Sequence, residues 1–133
     1  MIENFSSILI TGASSGIGAA LARYYATPGV RLVLQGRDSA RLETVAADCR
    51  AKGASVEAAL FDVTDRAAVS AAIAAVDASH PLDLVIANAG IGSGTGDGQG
   101  ATLAIFETNI GGVLNTLYPR SAPCGRVGAA PSR

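Results

Sequence analysis

Three closely spaced glycines are the clearest sign of chemistry in this chain of 133 residues. Residues 11–18 read TGASSGIG and lie between a predicted strand and a predicted helix. Glycine lets the backbone approach a diphosphate closely, and the following helix offers unpaired N–H groups and its positive dipole end to the phosphates. A tight turn also needs glycine, but the strand before it and the helix after it favour phosphate binding. The predicted phosphate contacts are Gly12, Ser14, Ser15, Gly16, Ile17 and Gly18.

A second group of residues lies at the end of the next predicted strand, where Gly36 is followed by Arg37. Proteins that bind NAD often place a carboxylate at this point to hold the ribose hydroxyls. No acid occupies the strand end, and Arg37 can pair with a 2′-phosphate through two N–H groups. Asp38 follows and is interpreted as a helix cap. We therefore expect NADP rather than NAD, the alternative being that Arg37 is a solvated surface side chain.

Alternating strands and helices must position these residues. Apolar runs that end at turn residues predict strands at residues 6–11, 31–35, 55–61 and 82–87. Helical spacing of apolar residues predicts helices at residues 16–26, 39–52, 65–79 and 102–117. Continuous apolar strands are typical of a sheet that is covered on both faces. We therefore expect an α/β fold with a parallel sheet, right-handed crossovers and helices on both sides.

Each helix is predicted from one apolar face and from residues that could cap its ends. Asp38 or Ser39 is expected to cap the second helix, and Thr64 or Asp65 the third. His80 is interpreted as a capping residue at the end of the third helix rather than as a catalytic base. The four apolar sets are Ile17, Ala20, Leu21 and Tyr24; Leu42, Val45, Ala46 and Cys49; Val69, Ala72, Ile73 and Val76; and Leu103, Phe106, Ile110, Val113, Leu114 and Leu117.

Four motifs that occur in order along the chain resemble the short-chain dehydrogenase/reductase family. They are TGASSGIG at residues 11–18, Asp62 with Val63, the run Asn88, Ala89 and Gly90, and Asn109 in the fourth helix. The resemblance covers about residues 5–118. It implies a Rossmann-type doubly wound parallel sheet with strands in the order 3-2-1-4, truncated relative to the family. Residues 1–118 would then form a partial nucleotide-binding domain.

The resemblance also implies roles for these residues, with a dinucleotide as cofactor and a small carbonyl or alcohol as substrate of full-length relatives. In the family, the acid matched by Asp62 binds the adenine amino group, and the segment matched by residues 88–90 shapes the cofactor site. The asparagine matched by Asn109 holds a water molecule in the proton relay, so Asn109 is the predicted catalytic residue. Taken alone, Asn109 is a polar side chain on an apolar helix, satisfied by hydrogen bonds in the core.

The family's remaining catalytic residues, a serine and a Tyr-x-x-x-Lys, have no counterpart in the sequence. The one lysine is Lys52 and the tyrosines are Tyr24, Tyr25 and Tyr118, so no Tyr-x-x-x-Lys exists. A positioned proton donor typically contributes about 10²–10⁴-fold to a rate. We therefore expect no turnover by this chain alone. Two alternatives stay open, a non-catalytic dinucleotide-binding module and a non-functional product of a truncated or frameshifted gene.

Three further segments carry predictions of their own. Residues 92–100 place glycine at every second position, which indicates a flexible surface loop or, alternatively, a mobile flap over a ligand. Residues 119–133 hold three prolines, three arginines and no acid, and are predicted to be a disordered basic tail. The apolar strand at residues 82–87 would form an open sheet edge, which invites self-association by strand pairing.

Composition excludes several other classes of protein. A net charge of −1 gives no general attraction to nucleic acid or to an anionic membrane. No apolar run approaches the roughly 20 residues that cross a bilayer, and the N-terminal residues do not resemble a signal peptide. Cys49 and Cys124 are far apart and no Cys/His cluster exists, so we expect two free thiols and no metal site. A reducing cytoplasm is therefore the expected location.

Overall fold

The computed structural model describes residues 4–91 and 99–117 of the chain. Its strands are β1 (Ser7–Ile10), β2 (Arg31–Gly36), β3 (Ser55–Leu60) and β4 (Leu84–Ile86). Its helices are α1 (Gly16–Tyr25), α2 (Ser39–Ala51), α3 (Arg66–Ser79) and α4 (Gln99–Phe106). A π-helical segment (Glu107–Gly111) continues α4, and residues 112–117 return to α-helix.

The four strands form one parallel sheet in the order β3-β2-β1-β4, which confirms the predicted topology. Leu9 in the central strand β1 pairs with Val33 on one side and with Val85 on the other. The chain therefore adds β2 and β3 on one side of β1 and then crosses over to add β4 on the other. Ligands of open parallel sheets bind outside the carboxyl ends of the strands at such a reversal of order.

Successive residues of the central strands enter two different cores, because side chains alternate between the faces of a sheet. Ile8, Ile10 and Leu32 pack with the buried residues of α1 and α2. Leu9 and Val33 pack on the opposite face with the buried residues of α3. Helices therefore cover both faces, as the continuous apolar strands predict.

The predicted inward face of α2 is confirmed, and so is that of α3 except that Ala72 is only half-buried. Their buried residues are Leu42, Val45, Ala46 and Cys49 in α2, and Val69, Ile73 and Val76 in α3. Of the alternative caps, Asp38 accepts a hydrogen bond from the amide of Arg41, and Asp65 accepts one from the amide of Ala68, each at 3.0 Å. A carboxylate at these positions satisfies an amide that the helix itself leaves unpaired.

The apolar spacing that predicts α1 does not mark its buried face, although Leu21 packs partly buried against the core. Ile17 is 72% exposed and Tyr24 is 69% exposed, whereas the buried residues are Gly18, Ala19 and Ala22. These small residues let the helix axis lie close to the sheet, and Gly18 packs directly on the carbonyl of Gly12. Close approach at the phosphate turn and burial of Ala19 and Ala22 in the core therefore go together with this rotation of α1.

The apolar residues of the last helix also face away from the described core. Exposed positions recur along α4 and its continuation at Leu103, Phe106, Ile110, Leu114 and Leu117. The buried positions are the small or polar residues Thr108, Gly112 and Thr116. Within the described ranges, β4 pairs with β1 alone and its other edge is open. Self-association through that edge stays a prediction.

Candidate functional site

A cleft of about 430 Å³ lies where the carboxyl ends of the four strands meet. The loops after β1, β2, β3 and β4 all contribute to its walls. Among the predicted site residues, those that line it are Gly12, Ser14, Ser15, Gly16, Ile17, Arg37, Asp62, Val63, Asn88, Ala89 and Gly90. Gly18 and Asn109 do not line the cleft, but they contact residues that do. The fold therefore brings four distant sequence motifs to one place.

The turn after β1 needs glycine for its backbone conformation at Gly12 and Gly16 and for close packing at Gly12 and Gly18. Gly12 and Gly16 adopt φ angles of +67° and +55°, a region that side-chain-bearing residues rarely occupy. A Cβ on Gly12 would lie 2.7 Å from Cα of Ala89, so the turn also touches the loop after β4. A Cβ on Gly18 would lie 2.1 Å from the carbonyl oxygen of Gly12. Any side chain at Gly12 or Gly18 would therefore push the two loops apart.

The start of α1 differs from the starts of α2 and α3. Ser15 is its N-cap residue, but the Ser15 side chain makes no capping hydrogen bond. Within the described part of the chain, the main-chain amides of residues 14–18 donate no hydrogen bond to the protein. Helix starts of this kind carry partial positive charge and bind anions. The donor set therefore fits a phosphate group.

The amides of Gly12 and Ala13 are not part of that donor set, because Gln35 binds both. The Gln35 side-chain oxygen Oε1 accepts from the amide of Gly12 at 3.0 Å, and its carbonyl accepts from Ala13 at 2.8 Å. Its Nε2 donates to the carbonyl of Phe61. Buried Gln35 thus joins the turns after β1 and β3. Sequence reasoning missed it, although a glutamine in an apolar strand needs buried partners.

Thr11 and Asn88 join the turn after β1 to the loop after β4. The Thr11 hydroxyl oxygen accepts from the amides of Asn88 and Ala89, each at 3.0 Å. Asn88 Nδ2 donates to the carbonyls of Thr11 and Gly12 at 3.3 and 3.4 Å. Asn88 therefore shapes the cleft through the backbone of the glycine turn.

Asn109 holds the end of the same loop. Its Oδ1 accepts from the amide of Ile91 at 2.7 Å, and its Nδ2 donates to the Ile91 carbonyl at 3.0 Å. A Cβ on Gly90 would lie 3.1 Å from Asn109 Oδ1, so the glycine makes room for this contact. The side chain is thus engaged with the backbone of a cleft-lining residue. Its role in a proton relay stays a prediction.

Asn115, one turn beyond the π-helical segment, makes a similar contact with the loop after β3. Its Nδ2 donates to the carbonyl of Val63 at 3.0 Å. Gly112 packs against Val63 as well, because a Cβ on that glycine would lie 2.6 Å from Val63 Cγ2. The last helix therefore fastens two walls of the cleft. Asn115 gave no motif signal in the sequence.

Charged side chains are concentrated at the side of the cleft formed by the loops after β2 and β3. Arg37, Asp38, Arg41 and Asp62 all line it. The amide and hydroxyl of Thr64 donate to Asp62 Oδ1 at 2.9 and 2.8 Å. These bonds, helped by the nearby Arg37 and opposed by burial, hold the pKa of Asp62 below its ordinary value. Asp62 is therefore an anion at neutral pH, and a dinucleotide would meet carboxylates as well as guanidinium groups.

A family model described as short chain dehydrogenase matches residues 6–119. The chain belongs to the short-chain dehydrogenase family. Serine 3-dehydrogenase from Agrobacterium fabrum is 38% identical over 117 residues, which cover 84% of this chain and 46% of that protein. Gluconate 5-dehydrogenase from Gluconobacter oxydans is 43% identical over 84 residues, covering 62% of this chain and 33% of that protein. The chain thus spans about half the length, or less, of these curated relatives.

Solved structures of the short-chain dehydrogenase family share the fold. A metagenomic short-chain oxidoreductase in complex with NADP superposes with a TM-score of 0.82 at 30% identity, covering 93% of this chain and 60% of that one. An alcohol dehydrogenase from Thermococcus sibiricus, complexed with 5-hydroxy-NADP, superposes with a TM-score of 0.80 at 32% identity, covering 92% and 55%. The predicted family and the predicted Rossmann-type sheet are both confirmed.

The remaining predictions concern residues that do not line the cleft. The Gly-rich residues 92–98, the segment 118–133 and Cys124 lie outside the described ranges. Cys49 lies on the buried face of α2, and burial raises the pKa of its thiol. His80 ends α3, where its amide donates to the Val76 carbonyl and its carbonyl accepts from Arg31. None of the described helices is long and apolar enough to cross a membrane.

Proposed function

We propose that residues 1–118 bind NADP(H) as the cofactor-binding half of an oxidoreductase. The reaction would transfer hydride between the cofactor and a carbonyl or hydroxyl group of a small molecule. The observation that carries the proposal is the uncapped start of α1, which shares one cleft with Arg37. A diphosphate and a 2′-phosphate are the two anionic parts of NADP, and the cleft offers a separate cationic element to each.

The diphosphate is assigned to the amides of residues 14–18. They lie at the positive end of the α1 dipole and have no hydrogen-bond acceptor within the described chain. Gly12 and Gly16 supply the backbone conformation, and the absent side chain of Gly18 permits the close packing behind it. The hydroxyls of Ser14 and Ser15, both at the cleft wall, would add further donors.

The adenine end is assigned to the wall formed by Arg37, Asp62 and Val63. Oδ1 of Asp62 holds Thr64, which leaves Oδ2 to accept a hydrogen bond from the adenine amino group. Arg37 makes no ion pair with any described residue, so its guanidinium is available to a 2′-phosphate. The structural relatives solved with NADP and with 5-hydroxy-NADP support the same choice of cofactor over NAD.

Bound NADP(H) would supply or accept the hydride, and this chain would bind and orient it. Asn109 is proposed to take part in a proton relay while holding Ile91 at the cleft wall. Because these 133 residues contain no Tyr-x-x-x-Lys, we propose that they bind cofactor without turnover by themselves. The names of the curated relatives, a serine 3-dehydrogenase and a gluconate 5-dehydrogenase, support a polar hydroxyl compound as substrate class.

Thermal unfolding with and without each dinucleotide tests the proposal. A ligand present at a hundred times its Kd stabilises the folded state by about 2.7 kcal/mol, which should raise the Tm of a domain of this size by roughly 10 °C. NADP should give this shift at a lower concentration than NAD. Arg37→Gln should reduce the difference, whereas Arg50→Gln, outside the cleft, should keep it. An unchanged Tm at millimolar concentrations of both dinucleotides would overturn the proposal.

A further inference from the structure

Two arginines, not one, line the charged end of the cleft. Arg37 follows β2, and Arg41 lies in the first turn of α2. The side chain of Arg41 is 71% exposed, so its guanidinium is accessible to a ligand in solution. The sequence motifs single out Arg37 and give no weight to Arg41. The structure places both in the same wall.

Asp38 holds Arg41 at the cleft. Its Oδ1 accepts from the Arg41 amide at 3.0 Å, and its Oδ2 lies 3.6 Å from Arg41 Nε. A guanidinium carries five N–H groups, of which Nε supplies one. Among the described residues, no hydrogen bond from the terminal nitrogens of Arg41 is found. The four terminal N–H groups are therefore free to bind an anion.

Other arginines in the described ion pairs are engaged differently. Arg23, Arg31 and Arg50 each direct a terminal nitrogen to a carboxylate, on Asp48, Glu57 and Glu43 respectively. Their forks are thereby occupied by the protein itself. Arg41 instead uses its inner nitrogen at a longer distance, which leaves the fork unoccupied. This arrangement suits a residue that receives a ligand phosphate.

The net charge of the cleft wall depends on whether Arg41 is counted with Arg37, and it decides how well the wall accepts a phosphate. The wall contains two carboxylates, Asp38 and Asp62. With Arg37 alone it would carry a net charge of −1, which disfavours a phosphate. Arg41 brings the sum to zero, from two arginines and two carboxylates. A phosphate with nearly two negative charges and three acceptor oxygens is then matched by two guanidinium groups.

We propose that Arg41 is a second residue that determines the preference for NADP over NAD, by binding the 2′-phosphate together with Arg37. The inference rests on the proposed function of the cleft. Without Arg41, the remaining net charge at this wall opposes the extra phosphate of NADP. Binding of NAD, which has a ribose hydroxyl at this position, should depend little on Arg41.

The test is calorimetric titration of the full 133-residue chain with NADP and with NAD. Arg41→Gln should weaken NADP binding about tenfold, the loss expected for one charge-assisted contact, and change NAD binding less than twofold. Arg50→Gln is the matched control, because it removes the same charge from the same helix outside the cleft. It should change neither affinity by more than twofold. Thermal melts without ligand check that each variant folds.

Two further measurements sharpen the test. Arg41→Lys keeps the charge without the fork and should recover part of the lost NADP affinity. Added salt should lower the NADP/NAD affinity ratio of the parent chain more steeply than that of Arg41→Gln, because the contact is exposed.

The possible failures are distinguishable. A parent chain that binds neither dinucleotide would overturn the proposed function and this inference together. A parent chain that prefers NADP, with Arg41→Gln showing the same ratio, would overturn the role of Arg41 alone. An equal loss of both dinucleotides in Arg41→Gln would also overturn it, because the effect would then not concern the 2′-phosphate.

Discussion

Replacing Ser15 with aspartate should stabilise the folded chain and weaken its binding of NADP. Ser15 is the N-cap residue of α1, in an extended conformation with φ −159° and ψ 171°, and it makes no capping bond. In the same protein, Asp38 and Asp65 cap α2 and α3 through amides three residues further on, each at 3.0 Å. An aspartate at position 15 should therefore reach the amide of Gly18 in the same way.

The gain in stability follows from two known contributions. An N-cap carboxylate contributes about 0.5–2 kcal/mol relative to an uncapped start, and the helix dipole adds about 0.3–1 kcal/mol at an exposed site. A total of about 1 kcal/mol is a conservative sum for this exposed position. For a domain of this size it should raise the Tm by roughly 4 °C.

The loss of binding follows from the same carboxylate. Two unit charges about 4 Å apart repel by about 4 kcal/mol at an effective dielectric constant of 20. Solvent at this open cleft should reduce that value by about half, which leaves about 2 kcal/mol, or roughly a thirtyfold loss of affinity. The capping bond also withdraws one of the amides assigned to the diphosphate. We therefore expect NADP affinity to fall by a factor of at least about 30.

Differential scanning calorimetry without ligand and isothermal titration with NADP measure the two effects on one sample. Ser15→Asn is the matched control, because asparagine also caps helices but carries no charge. It should raise the Tm somewhat less and weaken NADP far less than Ser15→Asp. If Ser15→Asp raises the Tm but binds NADP as tightly as the parent chain, the amides of α1 do not hold the diphosphate and the reasoning is refuted.

Three further predictions concern the architecture of the cleft. In urea unfolding, Gly18→Ala should lower the free energy of unfolding by about 3 kcal/mol, because its Cβ would lie 2.1 Å from the Gly12 carbonyl oxygen. Gly16→Ala should lower it by only about 1 kcal/mol, because Gly16 has a positive φ but open space around it. Equal losses in the two variants would contradict the packing argument. Gln35→Leu leaves the Gly12 amide and the Phe61 carbonyl without their hydrogen-bond partner. It should therefore lower the free energy of unfolding by about 2 kcal/mol. An unchanged free energy of unfolding would mean that water replaces the glutamine side chain. The folded-state pKa of Asp62 is lowered, so its contribution to stability is present above the ordinary aspartate pKa and lost as pH falls through the folded value. The Tm gap between the parent chain and Asp62→Asn should therefore be widest near neutral pH and close below about pH 4, and a gap that widens in acid would refute the assignment.

Local sequence signals predicted those parts of the protein that depend on near neighbours. The glycine spacing marks the phosphate turn, and Asp38 and Asp65 cap the helices that follow them. The inward faces of α2 and α3 follow from the helical period, and the apolar runs predict a parallel sheet. The family motifs added the strand order and the residues after β3 and β4. Each of these signals lies within a few residues along the chain.

The tertiary structure decided everything that depends on residues distant in sequence. Gln35, Thr11 and Asn115 make hydrogen bonds to residues between 23 and 78 positions away in the sequence. No local pattern marks Gln35 or Asn115, and the glycine motif that contains Thr11 does not predict its bonds to the loop after β4. Arg41 became a candidate once α2 was seen to start at the wall of the cleft. Gly18 packs closely on the Gly12 carbonyl, so the small residues of α1 face the sheet while the larger Ile17 and Tyr24 stay exposed. Hydrophobic period describes one helix at a time, whereas close packing and hydrogen-bond satisfaction are properties of the assembled fold.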